Sequence, residues 1–292
     1  MKYAIEIENL TKYYGKSKGI EGVSFNVAPQ EIYGFIGPNG AGKSTTIRTL
    51  LNLIFPTSGS AKIFGQDVVQ HGHLLRKDIG YLPSEVFYYE KMKVKELLAY
   101  AASFYEGDHS KRIEELVTLL ELDVNRRIED LSFGNKKKVG IVVGLLHRPK
   151  LIILDEPTSG LDPLMQHTFF NLIKQENENG ATVLFSSHIL SEVQHLCHKV
   201  AVIKDGHIVD VQDIKAFREN TYKKITLISD AKSKDIIGSL DVADIRQYDH
   251  TLSFVYRGEL DQLLKTLSSV HIQDIKIEEP SLEEVFMHYY EK

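Results

Sequence analysis

The sequence predicts an α/β fold with a small α+β domain behind it. Three observations carry that prediction. Patterns for a buried strand, a glycine-rich loop and an amphipathic helix follow one another over residues 32–54. The apolar run Leu151–Leu154 ends in two carboxylates, Asp155 and Glu156, as a parallel strand covered on both faces does. From about Ala216 the pattern becomes strand, helix, strand, strand, helix, strand, the order of a ferredoxin-like unit.

Residues 3–80 read mostly as strands around one loop, "GPNGAGKST": Gly37, Pro38, Asn39, Gly40, Ala41, Gly42, Lys43, Ser44 and Thr45. The stretch fits G-x-x-x-x-G-K-[ST] through Gly37, Gly42, Lys43 and Ser44. Its context is "EIYGFIG" as strand and "KSTTIRTLLNLI" as helix, with Ile47, Leu50, Leu51 and Ile54 on one face. A loop wraps an anion only when its N–H groups point inward, which demands backbone angles and close approach that glycine permits. The helix N-terminus behind it adds unpaired N–H groups and a favourable dipole. Lys43 then supplies charge to the β- and γ-phosphates, and the Ser44 hydroxyl is placed to ligate Mg²⁺.

Residues 85–130 turn helical, with "KVKELLAYAASFY" and "SKRIEELVTLLEL" carrying apolar residues at helical spacing. "LSFGNKKKVGIVVGLL" reads as a further helix that starts at Ser132 and aims its N-terminus at an anion. Its lysine run, Lys136 to Lys138, reads as one exposed face of that helix. Next comes the strand ending at Asp155, which emerges where ligands bind in open α/β sheets and can hold Mg²⁺ there. Glu156 follows as a general base facing an attacking water. "TVLFSSH" is another buried strand and delivers His188 to the same sheet edge, for a γ-phosphate contact. In the last part, "KKITLI", "DIRQYDH", "TLSFVYRG" and "IQDIKIEE" read as strands. "SKDIIGSL", "ELDQLLKTL" and "PSLEEVFMHYY" read as helices.

Composition bounds the rest. The chain has 292 residues, 42% hydrophobic and 26% charged, which suits one large domain or a main domain plus a small one. A formal charge of -5 gives no support to nucleic acid as a partner. No apolar run approaches membrane-spanning length, and no secretory pattern opens the sequence. The single cysteine, Cys197, excludes an internal disulfide and fits a reducing cytosol. "HLCH" and "HGH" lack the second ligand pair of a zinc site. "NKKK" lacks the acidic residue that reads guanine, and "DEPT" lacks the glycine of a GTPase switch.

In order, "GPNGAGKST", "LSFGN", "LIILDEP", "SGLD" and "SSH" make residues 1–215 resemble the nucleotide-binding subunit of an ATP-binding cassette (ABC) transporter. The resemblance implies the P-loop ABC ATPase fold: a RecA-like mixed-sheet core, a β-subdomain and a helical insert at about residues 85–140. Residues 216–292 then form the accessory domain. It also implies an ATP-hydrolysing, head-to-tail dimer, either a homodimer or a heterodimer with another ABC ATPase. Ser132 and Gly134 would touch the γ-phosphate of ATP held by the other subunit, and Asp162 would communicate across the dimer. Tyr14 would stack on adenine, with Tyr13 as the alternative. The implied partners are integral membrane subunits, the implied cofactors ATP and Mg²⁺, and the implied place the cytoplasmic face of the cell membrane. "SLEEVF" near the C-terminus is similar to an ending of the type-2 exporter group.

Two departures stand out. Phe133 and Asn135 replace residues of the usual LSGGQ motif. Ser84 stands where a glutamine normally links Mg²⁺ to the membrane subunit, with Glu85 as the possible substitute.

Overall fold

Why the strands of the first part pair as they do follows from their burial. In the computed structural model, which describes residues 2–214, 222–229, 237–238, 240–268 and 271–278, β1 (Ile5–Tyr14) and β2 (Ser17–Val27) alternate buried and exposed side chains. They pair antiparallel, and β4 (Ser58–Ile63) and β5 (Gln66–Asp67) extend the sheet in the order β2-β1-β4-β5. Such alternation suits a sheet with one face on a core and one in water.

The second sheet has at its centre strands buried at every position. β3 (Ile32–Ile36), β7 (Leu151–Asp155) and β8 (Thr182–Ser187) have no exposed residue. With β6 (Ile79–Leu82), β9 (Lys199–Lys204) and β10 (His207–Asp213) they run in the order β10-β9-β3-β8-β7-β6. The pairs β3–β8, β3–β9, β7–β8 and β6–β7 are parallel, so the carboxyl ends of β3, β7 and β8 share one edge. One core joins Ile5, Phe25, Tyr33, Phe35, Ile47, Ile63, Ile153 and Leu184, and thus both sheets.

Helix α1 (Lys43–Leu50) is shorter than its apolar spacing predicts. Ile47 and Leu50 are buried, but Asn52 takes a left-handed φ of 52°, which ends the helix before Ile54. Helix α2 (Val68–Leu75) is capped by Asp67. The helical part contains α3 (Val94–Ala102), α4 (Ser110–Leu119) and α5 (Phe133–Leu145). Helix α6 (Pro163–Glu178) follows β7, and α7 (Leu190–Leu196) follows β8.

The chain divides into two compact units, Met1–Gln212 and Asp213–Lys292. The second contains β11 (Tyr222–Ile228), β12 (Val242–Tyr248), β13 (Thr251–Arg257), α8 (Leu260–Leu267) and β14 (Asp274–Glu278). Its strands pair antiparallel in the order β12-β13-β11-β14, as a ferredoxin-like sheet does, around Ile225, Leu227, Phe254 and Leu263. The helix expected over 280–290 and most of the one over 233–240 lie outside the described residues.

Candidate nucleotide site

The glycine-rich loop leaves β3 and enters α1 through Gly42. That residue has φ 112°, and a β-carbon there would come 2.6 Å from Ile20 Cγ2. Both facts restrict the position to glycine. Behind it Lys43 is only 4% exposed, so its ammonium must find partners inside the protein. It donates to the carbonyls of Gly37 (2.7 Å) and Pro38 (3.2 Å) and pairs with Glu156 Oε1 at 3.1 Å.

Glu156 stands just beyond β7 with φ 49°, a left-handed conformation that costs a non-glycine residue about 1–2 kcal/mol. Its N–H donates to the carbonyl of Ser186 at 3.1 Å and to Ser186 Oγ at 3.2 Å, which holds the turn. The carboxylate lies between the Lys43 and His188 side chains. Oε1 meets Lys43, and Oε2 lies 3.3 Å from His188 Nδ1. Asp155, one residue earlier, is fully buried. Its Oδ1 accepts from Ser186 Oγ at 2.7 Å, whereas its Oδ2 is buried with no partner. An orphaned carboxylate oxygen carries a desolvation penalty of about 1–3 kcal/mol or more.

A cavity of about 610 Å³ opens over these groups. It is lined by Asn39, Gly40, Gly42, Lys43, Ser44 and Thr45 of the loop, by Tyr14, and by Ser84, Glu85, Phe133, Glu156 and Ser159. Its size lies in the range of small-molecule sites. Tyr14 is exposed on the cavity, with Lys12 Nζ 5.4 Å from its ring centre, whereas Tyr13 donates to Glu21 Oε1 at 3.0 Å. Of the two tyrosines, Tyr14 is the one that lines the cavity.

Other expected residues lie apart from this cavity lining. Ser132 is exposed and caps α5, accepting from the Asn135 N–H at 3.3 Å. Gly134 packs against Gly160: a β-carbon on Gly134 would sit 2.6 Å from the Gly160 carbonyl oxygen. Phe133 covers Gly160 from the other side, and a β-carbon there would strike its Cδ1 at 2.2 Å. So the bulky replacement in the motif is accommodated within its own chain by a glycine at φ 80°. Asp162 is exposed and caps α6, accepting from the Met165 N–H at 2.9 Å.

One expectation fails. The run Lys136–Lys138 is not a single exposed face: Lys137 is fully buried and donates to the carbonyls of Pro83 (2.9 Å) and Ser84 (2.7 Å). Consecutive helical residues are turned by 100°, so three in a row cannot share one face. Burial pushes the Lys137 pKa down to about 8, against the pull of the nearby Asp155 and Glu156 carboxylates. The signal was present in the sequence. Stepping back three, four and seven residues from Gly140, Ile141 and Gly144 on the buried stripe lands on position 137.

Known proteins resemble this chain in sequence and in fold. The family model "ABC transporter" matches residues 20–159, and "ATP-binding protein DrrA1-3-like, C-terminal domain" matches residues 210–290. The bacitracin transport ATP-binding protein BcrA of Enterococcus faecalis is 33% identical, over 86% of this chain and 84% of that protein. The linearmycin resistance ATP-binding protein LnrL of Bacillus subtilis is 30% identical over 97% of each. Among solved structures, an ATP binding subunit of an ABC transporter superposes with a TM-score of 0.70 at 30% identity, covering 74% of this chain and 92% of the other. The bacterial cassette MJ0796, in its dimeric structure, gives 0.67 at 25% identity, covering 72% and 98%. A phosphate cradle, a carboxylate pair and relatives along nearly the whole length agree, and the chain belongs to the ATP-binding subunits of ABC transporters, a family of ATPases.

Proposed function

We infer that this ATPase works as a Mg²⁺-dependent pair of chains that closes over ATP and drives membrane subunits in export. The observation that carries the reading is the run of contacts from Lys43 through Glu156 to His188, beside the cavity at the carboxyl ends of β3, β7 and β8. In this reading the catalytic groups are Glu156, His188 and Lys43. Residues 1–215 are the cassette and 216–292 an accessory domain.

The interlocked ion pairs suggest an order of events. Lys43 is held by Glu156 and by two neutral carbonyls. A triphosphate offers that ammonium a far stronger partner. Once Lys43 turns to the phosphates, Glu156 Oε1 is released to accept a proton from water, while His188 still holds Oε2. The water oxygen bonds to the γ-phosphorus, the bond to the bridging oxygen breaks, and the proton rests on Glu156. Phosphate arrival and the freeing of the base are thus one exchange.

The donor set fits Mg²⁺, a hard cation that takes oxygen ligands. The unpartnered Oδ2 of Asp155, the Ser44 hydroxyl and the loop at Ser84 and Glu85 would hold it. Bound there, it would supply neutralisation of the phosphate charge. Glu85 reaches the cavity with a longer side chain than Ser84, which favours it as the substitute for the missing glutamine.

Ser132 and Gly134 would close the site of a second chain, because the α5 N-terminus is exposed and directs N–H groups outward. Docking on integral membrane subunits is supported by an aromatic patch. Phe87, Tyr89, Tyr100 and Phe104 are all exposed, and Tyr100 lies edge-on to Tyr89 and Phe104 at 5.9 and 5.0 Å. Exposed apolar clusters of this kind mark interaction sites. Two relatives are named for bacitracin transport and linearmycin resistance, which favours an antibiotic-like cargo; the inner membrane face is the proposed workplace.

The test is Glu156→Gln in the full chain. ATP turnover should fall about a hundred- to ten-thousand-fold, with ATP binding retained and a nucleotide-bound dimer on a sizing column. Unchanged turnover would remove Glu156 from the base role. Copurification with DNA or ribosomes and no integral membrane protein would overturn the transport reading.

A further inference from the structure

A lysine with no exposed surface is costly unless its ammonium is hydrogen-bonded inside the protein. Lys137 lies five residues beyond Ser132 on α5, about one and a half helical turns from the tip. An apolar side chain of that length would fill the same space without a charge to desolvate, so what the ammonium holds is informative. It holds the carbonyls of Pro83 and Ser84, the first two residues after β6. There the sheet ladder stops, and no helix or strand follows until α3. The next residue, Glu85, reaches the nucleotide cavity.

Upstream of that point α5 and β6 are already fused by close packing. A β-carbon on Gly80 would come 2.1 Å from the Gly144 carbonyl oxygen, and one on Gly140 would meet Leu82 Cδ1 and Tyr88 Oη at 2.7 Å. The helix therefore lies on the strand through Leu82. Lys137 carries the attachment two residues further, into the loop.

We propose that Lys137 is a positioning residue that clamps the loop carrying Ser84 and Glu85 to the helix carrying Ser132, so that the cavity wall and the helix tip move as one body. The proposal rests on the reading of Ser84 and Glu85 as the wall that meets the nucleotide and its metal. A displacement of the loop, such as a docked membrane subunit would impose, then reaches the helix tip without passing through the sheet. Because the two acceptors are neutral carbonyls, the clamp itself requires two N–H donors, whereas the charge faces the separate Asp155 and Glu156 carboxylates. Glutamine at 137 offers two donors; methionine offers none.

The experiment compares full-length wild type with K137M and K137Q, by hydrogen exchange over residues 83–90 without nucleotide and by steady-state ATP hydrolysis. K137M should exchange about tenfold faster in that segment. Its kcat should fall about tenfold with KM for ATP within twofold, and K137Q should restore both. Wild-type exchange in K137M, a raised KM at constant kcat, or K137Q as impaired as K137M would overturn the clamp. Should K137M fail to fold, K137Q decides alone by hydrogen exchange: near-wild-type exchange over residues 83–90 upholds the proposal, and about tenfold faster exchange sinks it. Exchange is read without turnover, so a failure of the Glu156 assignment leaves this outcome separately legible.

Discussion

The cradle around Lys43 and the tip at Ser132 are both proposed as anion sites at a helix N-terminus, yet they differ in completeness. In the cradle, a fully buried strand feeds the loop, and the lysine is buried and held by three partners. At the tip, Ser132 and Phe133 are exposed, and the cap bond from Asn135 is long at 3.3 Å. One chain determines the first site by itself. On the proposed reading the second waits for the nucleotide of another molecule, and a composite site built this way would be off when the chains are apart.

Ser132→Asp separates the two sites most sharply. Aspartate caps a helix as well as serine does and favours the N-terminal dipole, so the isolated chain should keep its thermal stability. The added carboxylate would meet the triphosphate of a second chain across the interface. Like charges brought together in a desolvated interface cost several kcal/mol. Turnover should fall about a hundredfold, with ATP affinity of the single chain within twofold. Equal loss of single-chain affinity would mean that the tip belongs to its own cradle and not to a partner's.

A smaller effect is expected at the rim of the cradle. Tyr14 presents its ring to the cavity, and Tyr13 is tied to Glu21. Removing a stacked aromatic costs about 1–1.5 kcal/mol, so Tyr14→Ala should weaken ATP binding about tenfold and Tyr13→Ala much less. Isothermal titration of both variants decides it. The reverse ranking would move the base-stacking role to Tyr13.

Most of this architecture was legible in the sequence wherever function and fold use contiguous residues. The loop from Gly37 to Thr45 and the acidic end of β7 are short continuous strings whose chemistry can be read directly. Legibility failed where tertiary packing chooses among equivalent readings. Three lysines in a row do not by themselves say which one faces inward; the spacing to Gly140, Ile141 and Gly144 does, once the path of α5 over β6 shows which stripe is buried. The strained φ of Glu156 is invisible too, because glutamate carries no backbone signature for it. The early end of α1 was encoded in Asn52, a residue that tolerates the left-handed region, but the apolar spacing outweighed it in the reading.

The subtlest test concerns Asp162, which has a structural duty in its own chain and a proposed duty across the dimer. Its Oδ1 accepts from the Met165 N–H at 2.9 Å, with Pro163 opening α6. Asp162→Ala should cost about 1 kcal/mol, seen as a drop of a few degrees in nucleotide-free thermal unfolding. Asp162→Asn keeps the cap within a few tenths of that figure and removes only the charge. If the exposed carboxylate acts on a second chain, Asn should lower turnover about threefold at unchanged stability, the scale of an exposed charge contact. Wild-type turnover in the asparagine variant would reduce Asp162 to a helix cap and leave Ser132 and Gly134 as the parts of the tip that cross between chains.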